Sequence, residues 1–200
     1  MDLRFRLIVA AVAVFAWGAA AEAAPVRVRL RTEAGPIVIE VYPEAAPVTA
    51  SNFLAYVDKG LLAGGSFYRT VGPKNDRNPA GISVVQGGRN DAPGGLPPIA
   101  HETTATTGLS HINGVVSMAR DGPGTATSEF FISIGENPVL DFGGARNRDG
   151  QGFAAFGKVI SGMKTVRRIH AAPTRSASGD PYTAGQIIAA PIKILGAERR

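Results

Sequence analysis

Cysteine is absent from all 200 residues of this sequence, and histidine occurs only three times. The first absence excludes disulfides, cysteine nucleophiles and thiolate metal sites. The three histidines, His101, His111 and His170, lie too far apart for the short spacings that are typical of zinc sites. We therefore predict no catalytic metal, and we interpret all three as loop or surface histidines.

The motifs of several other functional classes are also missing. No serine stands in a Gly-x-Ser-x-Gly elbow, so a serine hydrolase is not predicted. The glycines at 143–144 and 150–152 do not follow a strand and open a helix, as the glycines of phosphate-binding loops do. The net charge of +5 is spread along the chain without a dense basic run. We therefore expect a solvated basic surface and no nucleic-acid partner.

The N-terminus has the pattern of an export signal. Two arginines precede an uncharged, mostly apolar stretch over 7–21, and small residues follow it. A membrane anchor is the alternative, but this stretch is shorter than the roughly 20 residues that cross a bilayer as a helix. We predict a signal peptide at 1–23 and one mature domain at 24–200 without a membrane span. The predicted location is periplasmic or secreted.

The mature sequence alternates apolar and polar residues in short runs, which is the period of β-strands. With 25 glycines and 14 prolines available for turns, eight runs are predicted to be strands: 26–31, 37–42, 67–71, 82–86, 115–118, 130–134, 153–160 and 191–195. Helices are predicted at 47–60 and 163–170. This content favours a mainly β fold, a closed eight-stranded antiparallel barrel capped by two α-helices.

Five motifs stand in order along the mature sequence. They are Phe67-Tyr68-Arg69, Val84-Val85-Gln86-Gly87-Gly88, Met118-Ala119-Arg120, Ser128-Glu129-Phe130-Phe131-Ile132 and Gly157-Lys158-Val159. Together they resemble the motifs of the cyclophilins over nearly the whole mature chain. The resemblance implies a peptide groove on the outer face of the barrel. It also implies peptidyl-prolyl cis-trans isomerase activity, without cofactor or metal, on unfolded or flexible exported polypeptides that contain proline.

By position, the resemblance makes Arg69 the catalytic arginine and Gln86 a groove glutamine that holds the guanidinium or the substrate. A cationic donor suits this reaction, because twisting an X-Pro bond breaks the amide resonance and concentrates a lone pair on the proline nitrogen. Arginine stays charged and presents several donors at once. No covalent catalyst is required for a reaction of this kind.

The pocket for the proline ring corresponds, by the same resemblance, to Phe131, Val84 and Leu140. Met118 and Ala119 would border the neighbouring subsite. Because successive strand residues face opposite sides of a sheet, Phe131 is expected to point outward while the phenylalanine before it points into the core. An outward ring on a barrel is explained by a ligand pocket.

Six groove positions depart from the family pattern. They are Ser83, Arg120, Asp121, Glu129, Val139 and Phe153. Ser83 stands where a pocket phenylalanine is usual, so one apolar wall would be missing unless the insertion at 72–81 replaces it. Val139 takes the place of an aromatic residue associated with cyclosporin binding, so we expect only weak binding of that drug. Ser83, Arg120, Glu129 and Phe153 are expected to contact the substrate. Together with Asp121 on the groove edge, the last three are expected to change which side chains beside the proline are accepted.

Two other functions stay open at the level of the sequence. One is a proline-peptide binding module or holdase chaperone of the cell envelope, which kept the barrel but lost useful catalysis, as the residues Ser83 and Phe153 would allow. The other is a structural subunit of an envelope complex, which no motif specifically indicates. We expect a monomer, and an isomerisation assay separates the enzyme from the binding module.

Overall fold

The computed structural model describes residues 24–90, 92–175 and 180–200, and the predicted signal peptide at 1–23 lies outside the described residues. Within them the strands are β1 Val26–Thr32, β2 Gly35–Val41, β3 Ser66–Val71, β4 Val84–Gly88, β5 Val115–Met118, β6 Phe130–Ser133, β7 Ala154–Ser161 and β8 Ile187–Arg199. The helices are α1 Pro47–Asp58, α2 Thr104–Thr107 and α3 Met163–His170, and 3₁₀ turns cover Pro138–Leu140 and Pro181–Thr183. No helix in this part of the chain is long and apolar enough to cross a bilayer.

The strands close into one barrel in the order β1-β2-β7-β5-β6-β4-β3-β8, and β8 pairs back onto β1. Each neighbouring pair is antiparallel, which confirms the predicted fold. β8 is longer than expected because it pairs with both β3 and β1. Pro191 lies inside β8 where the register against β3 slips between Phe67 and Arg69. At such a bulge its missing N–H removes no ladder hydrogen bond.

Alternating strand residues fill the barrel interior. On β1, Val28 and Leu30 are fully buried, and the arginines that alternate with them face outward. Phe130 enters from β6 and packs edge-on against Phe53 of α1 and Phe67 of β3, each with 5.7 Å between ring centroids. Edge-to-face pairs add about 0.5–1.5 kcal/mol each beyond the buried area. The apolar residues of the predicted alternating pattern therefore form the core of the barrel.

Helix α1 begins at Pro47, where a missing N–H leaves no helical hydrogen bond unmade. The preceding Ala46 has no capping side chain. The carboxylate of Glu102 replaces it, accepting hydrogen bonds from the backbone N–H groups of Val48 at 3.1 Å and Thr49 at 2.7 Å. A negative group there also meets the positive end of the helix dipole, so a distant loop fixes the start of α1.

Both predicted helices are present and lie on different parts of the barrel. α1 contacts β7 and β8, whereas α3 contacts β2, β3 and β4. On α3 the residues Val166 and Ile169 are fully buried, as their spacing predicts. α2 was not predicted, because four residues are too few to show a helical period.

Candidate active site

A row of side chains crosses four neighbouring strands on the outside of the barrel. Arg69 on β3 pairs in register with Gln86 on β4. Gln86 pairs in turn with Phe131 on β6, which pairs with Ser117 on β5. Residues paired across a sheet point to the same face, so these side chains stand side by side. The first three line a cavity of about 520 Å³.

The guanidinium of Arg69 is held between two side-chain amides. Nη1 donates to Oε1 of Gln86 at 3.0 Å, while Nε and Nη2 both donate to Oε1 of Gln186, at 2.9 and 2.6 Å. Gln186 is fully buried, and its Nε2 donates to the carbonyl oxygen of Asn75 at 2.9 Å. An arginine has five N–H groups, so three hydrogen bonds fix its plane and still leave it able to donate to a substrate.

The surroundings of Arg69 change its electrostatics. Burial lowers the pKa of its guanidinium from the ordinary value, the nearby hydroxyls of Tyr182 and Tyr68 act in the opposite direction, and the like charge of Arg146 lowers it further. The ring centroid of Tyr182 lies 5.8 Å from Cζ of Arg69. Arginine begins from so high a pKa that it keeps its charge. The cavity therefore contains a partly desolvated, oriented cation, whose field is stronger than that of a solvated one.

An apolar pocket adjoins this cation. Its buried members are Val71, Val84, Phe131 and Leu140, and its partly buried members are Ile82, Ala119 and Phe153. All of them line the cavity. Phe131 and Phe153 meet edge to face, with 5.2 Å between centroids and 90° between planes. Phe131 points outward while Phe130 lies in the core, as the strand alternation predicts.

The structure brings neither Ser83 nor Met118 to the cavity, although both were expected to contact the substrate. Ser83 turns towards α3, where its hydroxyl lies 3.2 Å from Nε2 of His170. Ile82, the residue before it, supplies that part of the cavity wall. Met118 is buried in the barrel interior with 1% exposure, because it follows the outward-facing Ser117 on β5 and successive strand residues alternate.

Arg120 forms the rim of the groove beside Phe153. Its Nη1 and Nη2 donate to the two carboxylate oxygens of Asp149 at 2.7 and 3.0 Å, and its Nε donates to the carbonyl oxygen of Gly152 at 2.9 Å. The hydrogen bond from Arg120 lowers the pKa of Asp149 to about 2. The Arg120 guanidinium also lies 5.2 Å from the Phe153 ring centroid. The arginine thus fixes one pocket wall, and its charge is balanced by a carboxylate.

Beneath Phe131 lies a buried histidine that the sequence analysis placed in a loop or at the surface. The ring of His111 is stacked on Phe131 at 5.7 Å and 19°, and the residue is only 1% exposed. Its Nδ1 lies 2.6 Å from Asp141 and its Nε2 lies 3.0 Å from the hydroxyl of Ser117. Because a carboxylate only accepts, Nδ1 donates to Asp141, and Nε2 faces the hydroxyl of Ser117. Ser117 is fully buried, so this trio supports the pocket floor and is not a hydrolase site.

Sequence reasoning missed Gln186 and Tyr182, which lie on or near Arg69. Both come from the end of the chain, and Gln186 is 117 residues away from Arg69. Neither belongs to a motif that resembles the family. The sequence shows only a glutamine just before a strand, and the burial that marks Gln186 as a holder of Arg69 is visible only in the fold.

Comparison with known proteins agrees with the geometry. A family model described as cyclophilin type peptidyl-prolyl cis-trans isomerase/CLD matches residues 27–196. A peptidyl-prolyl cis-trans isomerase of Acinetobacter baylyi is 36% identical over 152 residues, which are 74% of this chain and 73% of that protein. Peptidyl-prolyl cis-trans isomerase B of Escherichia coli is 33% identical over 153 residues, 74% of this chain and 85% of that protein.

Solved structures share the fold. A cyclophilin type peptidyl-prolyl cis-trans isomerase of Cryptosporidium parvum superposes with a TM-score of 0.63 at 22% sequence identity, covering 88% of this chain and 98% of the other. The barrel, the family match over most of the chain and the identity with bacterial relatives lead to one conclusion. The chain belongs to the cyclophilin-type peptidyl-prolyl cis-trans isomerases and is an enzyme that accelerates rotation about X-Pro bonds.

Proposed function

We propose that Arg69 is the catalytic group and that the adjoining apolar pocket, with Phe131 as its floor, holds the proline ring. The observation that carries this proposal is the guanidinium fixed by Gln86 and Gln186 at the edge of that pocket. A second solved form of the Cryptosporidium parvum protein, with a TM-score of 0.62, is described as crystallised in the presence of the dipeptide Ala-Pro. A proline-containing dipeptide is the kind of ligand that this proposal places in the pocket.

The reaction is a rotation, so the site needs only to favour its midpoint. The planar amide is protected by a barrier of about 18–20 kcal/mol, and twisting it localises a lone pair on the proline nitrogen. An oriented cation beside that nitrogen, or beside the carbonyl oxygen, stabilises the twisted state more than either planar state. Meanwhile the buried ring stays fixed in its pocket and the preceding residue turns.

The pocket predicts the effect of losing its floor. Phe131→Ala is expected to raise KM for an X-Pro peptide roughly tenfold, since about 1.5 kcal/mol of apolar burial around the proline is lost. The measurement is a coupled isomerisation assay over a range of peptide concentrations, with thermal unfolding to check the fold. Phe142→Ala is the matched control, because Phe142 is 49% exposed and lies outside the cavity lining. An unchanged KM in Phe131→Ala would place the proline elsewhere.

The natural substrates follow from the predicted export signal. We propose that the enzyme acts on X-Pro bonds of exported polypeptides and assists their folding outside the cytoplasm. The charged, then apolar, then small-residue pattern over 1–23 supports this location. Arg120 and Phe153, whose side chains line the groove, then select among the sequences around proline.

Export makes a direct prediction about the mature protein. When the full chain is expressed in a bacterium, the protein recovered from the envelope fraction is expected to begin at Ala24, as N-terminal sequencing would show. This protein should accelerate a proline-limited refolding phase of a secreted substrate. Retention of residues 1–23 on protein found in the cytoplasmic fraction would contradict the proposed location, but not the isomerase activity.

A further inference from the structure

A buried carboxylate oxygen lies behind the catalytic arginine. Glu129 precedes β6, and its Oε1 accepts hydrogen bonds from the backbone N–H of Asn90 at 3.0 Å and from the hydroxyl of Ser128 at 3.1 Å. Its Oε2 is buried, and within the described residues no hydrogen bond is directed to it. Burying an ionised oxygen without a partner is costly, so this carboxylate calls for an explanation.

The hydroxyl of Tyr68 lies beside this carboxylate. Burial raises the pKa of the Tyr68 phenol above its ordinary value, and the negative charge of Glu129 raises it further. A phenol that keeps its proton next to a carboxylate is a hydrogen-bond donor to it. A hydrogen bond from the Tyr68 phenol to Oε2 of Glu129 would give this buried oxygen the partner that it otherwise lacks.

The same phenol contacts the amide that holds Arg69. Nε2 of Gln86 donates to the Tyr68 hydroxyl at 2.8 Å, and Oε1 of Gln86 accepts from Nη1 of Arg69 at 3.0 Å. Glu129, Tyr68, Gln86 and Arg69 all line the same cavity. Hydrogen bonds therefore join Tyr68, Gln86 and Arg69 in one chain, and the Glu129 carboxylate lies beside the Tyr68 end of it.

We propose that Glu129 and Tyr68 are positioning residues, which fix the amide of Gln86 in the one orientation that holds Arg69 for catalysis. This inference rests on the proposed role of Arg69. Its physical basis is the direction of each hydrogen bond. A carboxylate can only accept, so the phenol O–H donates its hydrogen bond to it, and the phenol oxygen is then left to accept from Gln86.

The consequence for Gln86 is that its amide cannot turn over. A hydroxyl without the carboxylate can donate as easily as it accepts, and it would then tolerate a rotated amide with Oε1 towards Tyr68. A rotated amide points its NH₂ group at Arg69, where two donors face each other and the guanidinium loses one of its two holders. The charge of Glu129 excludes that arrangement.

The test compares Tyr68→Phe and Glu129→Gln with the wild-type enzyme. Each is expected to lower kcat for an X-Pro peptide roughly 3- to 10-fold, the effect of losing one hydrogen bond, and to leave the dissociation constant of the peptide unchanged. Tyr42→Phe is the matched control, since Tyr42 also lies beside a glutamate, Glu40, but outside the cavity lining. It should retain full activity, and thermal unfolding monitors the fold of all variants.

A double-mutant cycle and an NMR measurement separate positioning from a general structural role. Because both residues act through one amide, Tyr68→Phe combined with Glu129→Gln should lose no more activity than the larger single loss. The side-chain NH₂ signals of Gln86 should broaden or shift in both variants but not in Tyr42→Phe. Full activity in Tyr68→Phe, with Arg69→Ala inactive, would overturn this inference and leave the proposed function standing. Full activity in Arg69→Ala would overturn both.

Discussion

Replacing Arg69 with alanine is expected to lower kcat/KM for an X-Pro peptide by roughly 10²–10³, the effect of removing a preorganised charge that faces the transition state. The loss should fall on kcat, because the guanidinium favours the twisted bond over both planar states. The proline pocket is intact in this variant. Binding of a proline dipeptide, measured by calorimetry, should therefore change little.

A lysine at the same position tests the geometry as well as the charge. Arg69→Lys keeps a cation but loses the planar fork with which Nε and Nη2 share Oε1 of Gln186. We expect activity above that of Arg69→Ala and well below that of the wild type. Arg29→Ala is the control, as an arginine on the outer face of β1 that lies outside the cavity lining.

One result would contradict a catalytic Arg69, and another would contradict the role of its geometry. The first is wild-type kcat/KM in Arg69→Ala. The other is equal activity in the lysine and arginine enzymes, which would mean that charge alone is sufficient and that the two amide holders have no role. Isomerisation assays at several temperatures, compared with the thermal unfolding curve of each variant, distinguish a true loss of rate from partial unfolding. The comparison requires that each variant has the wild-type melting curve.

The barrel was predictable because its signals are local. Period-two alternation shows which face of a strand is buried, and the consecutive residues Phe130 and Phe131 are the clearest case. One ring fills the core, and the other lines the cavity. The closure of the barrel follows from the number of strands too short to form a sheet alone. The observed strand bounds differ from the predicted ones by a few residues. The difference is largest in β8, because the irregularity at Pro191 interrupts the alternating pattern and the part before it was not predicted.

The wrong expectations at the site concern two things: the side of the sheet to which a residue points, and contacts between residues that are far apart in the sequence. Met118 and Ser83 occupy motif positions, yet one points into the core and the other turns to His170, because a motif gives a position and not a direction. Gln186 holds the guanidinium from 117 residues away. His111 lies under Phe131 because it also contacts Asp141 and Ser117, and only the fold brings these residues together. Such contacts depend on topology, which no local pattern contains.

The loops around the cavity depend on one buried ion pair, which gives the second large prediction. Nη1 of Arg146 donates to Oδ2 of Asp76 at 2.7 Å, and Nη2 donates to the hydroxyl of Tyr182 at 3.0 Å. The side chains of the pair are only 4% and 3% exposed. Arg146 thus ties the insertion at 72–81 to the loop over 142–152.

Arg146→Ala is expected to lower the free energy of unfolding by about 3–5 kcal/mol, because it leaves the Asp76 carboxylate buried without its partner. Urea unfolding followed by circular dichroism measures this loss. Arg199→Ala is the matched control, as it breaks an Arg–Asp pair with Asp58 in which the side chains are 45% and 47% exposed. Exposed pairs contribute at most about 1 kcal/mol, so equal losses in the two variants would contradict a structural role for the buried pair.

The pH dependence of that loss identifies its cause. Burial acts to raise the pKa of Asp76, but the hydrogen bonds from Arg146 and from the backbone N–H groups of Asn78 and Ile82 outweigh it and lower the pKa overall. A lowered carboxyl pKa stabilises the fold above the unfolded value, about 3.9, and this stabilisation disappears as the pH falls through the folded value. In Arg146→Ala the lone carboxylate can take up a proton in acid. The difference in stability between wild type and Arg146→Ala should therefore be largest near neutral pH and shrink below about pH 4, whereas a difference that stays constant with pH would attribute the loss to packing alone.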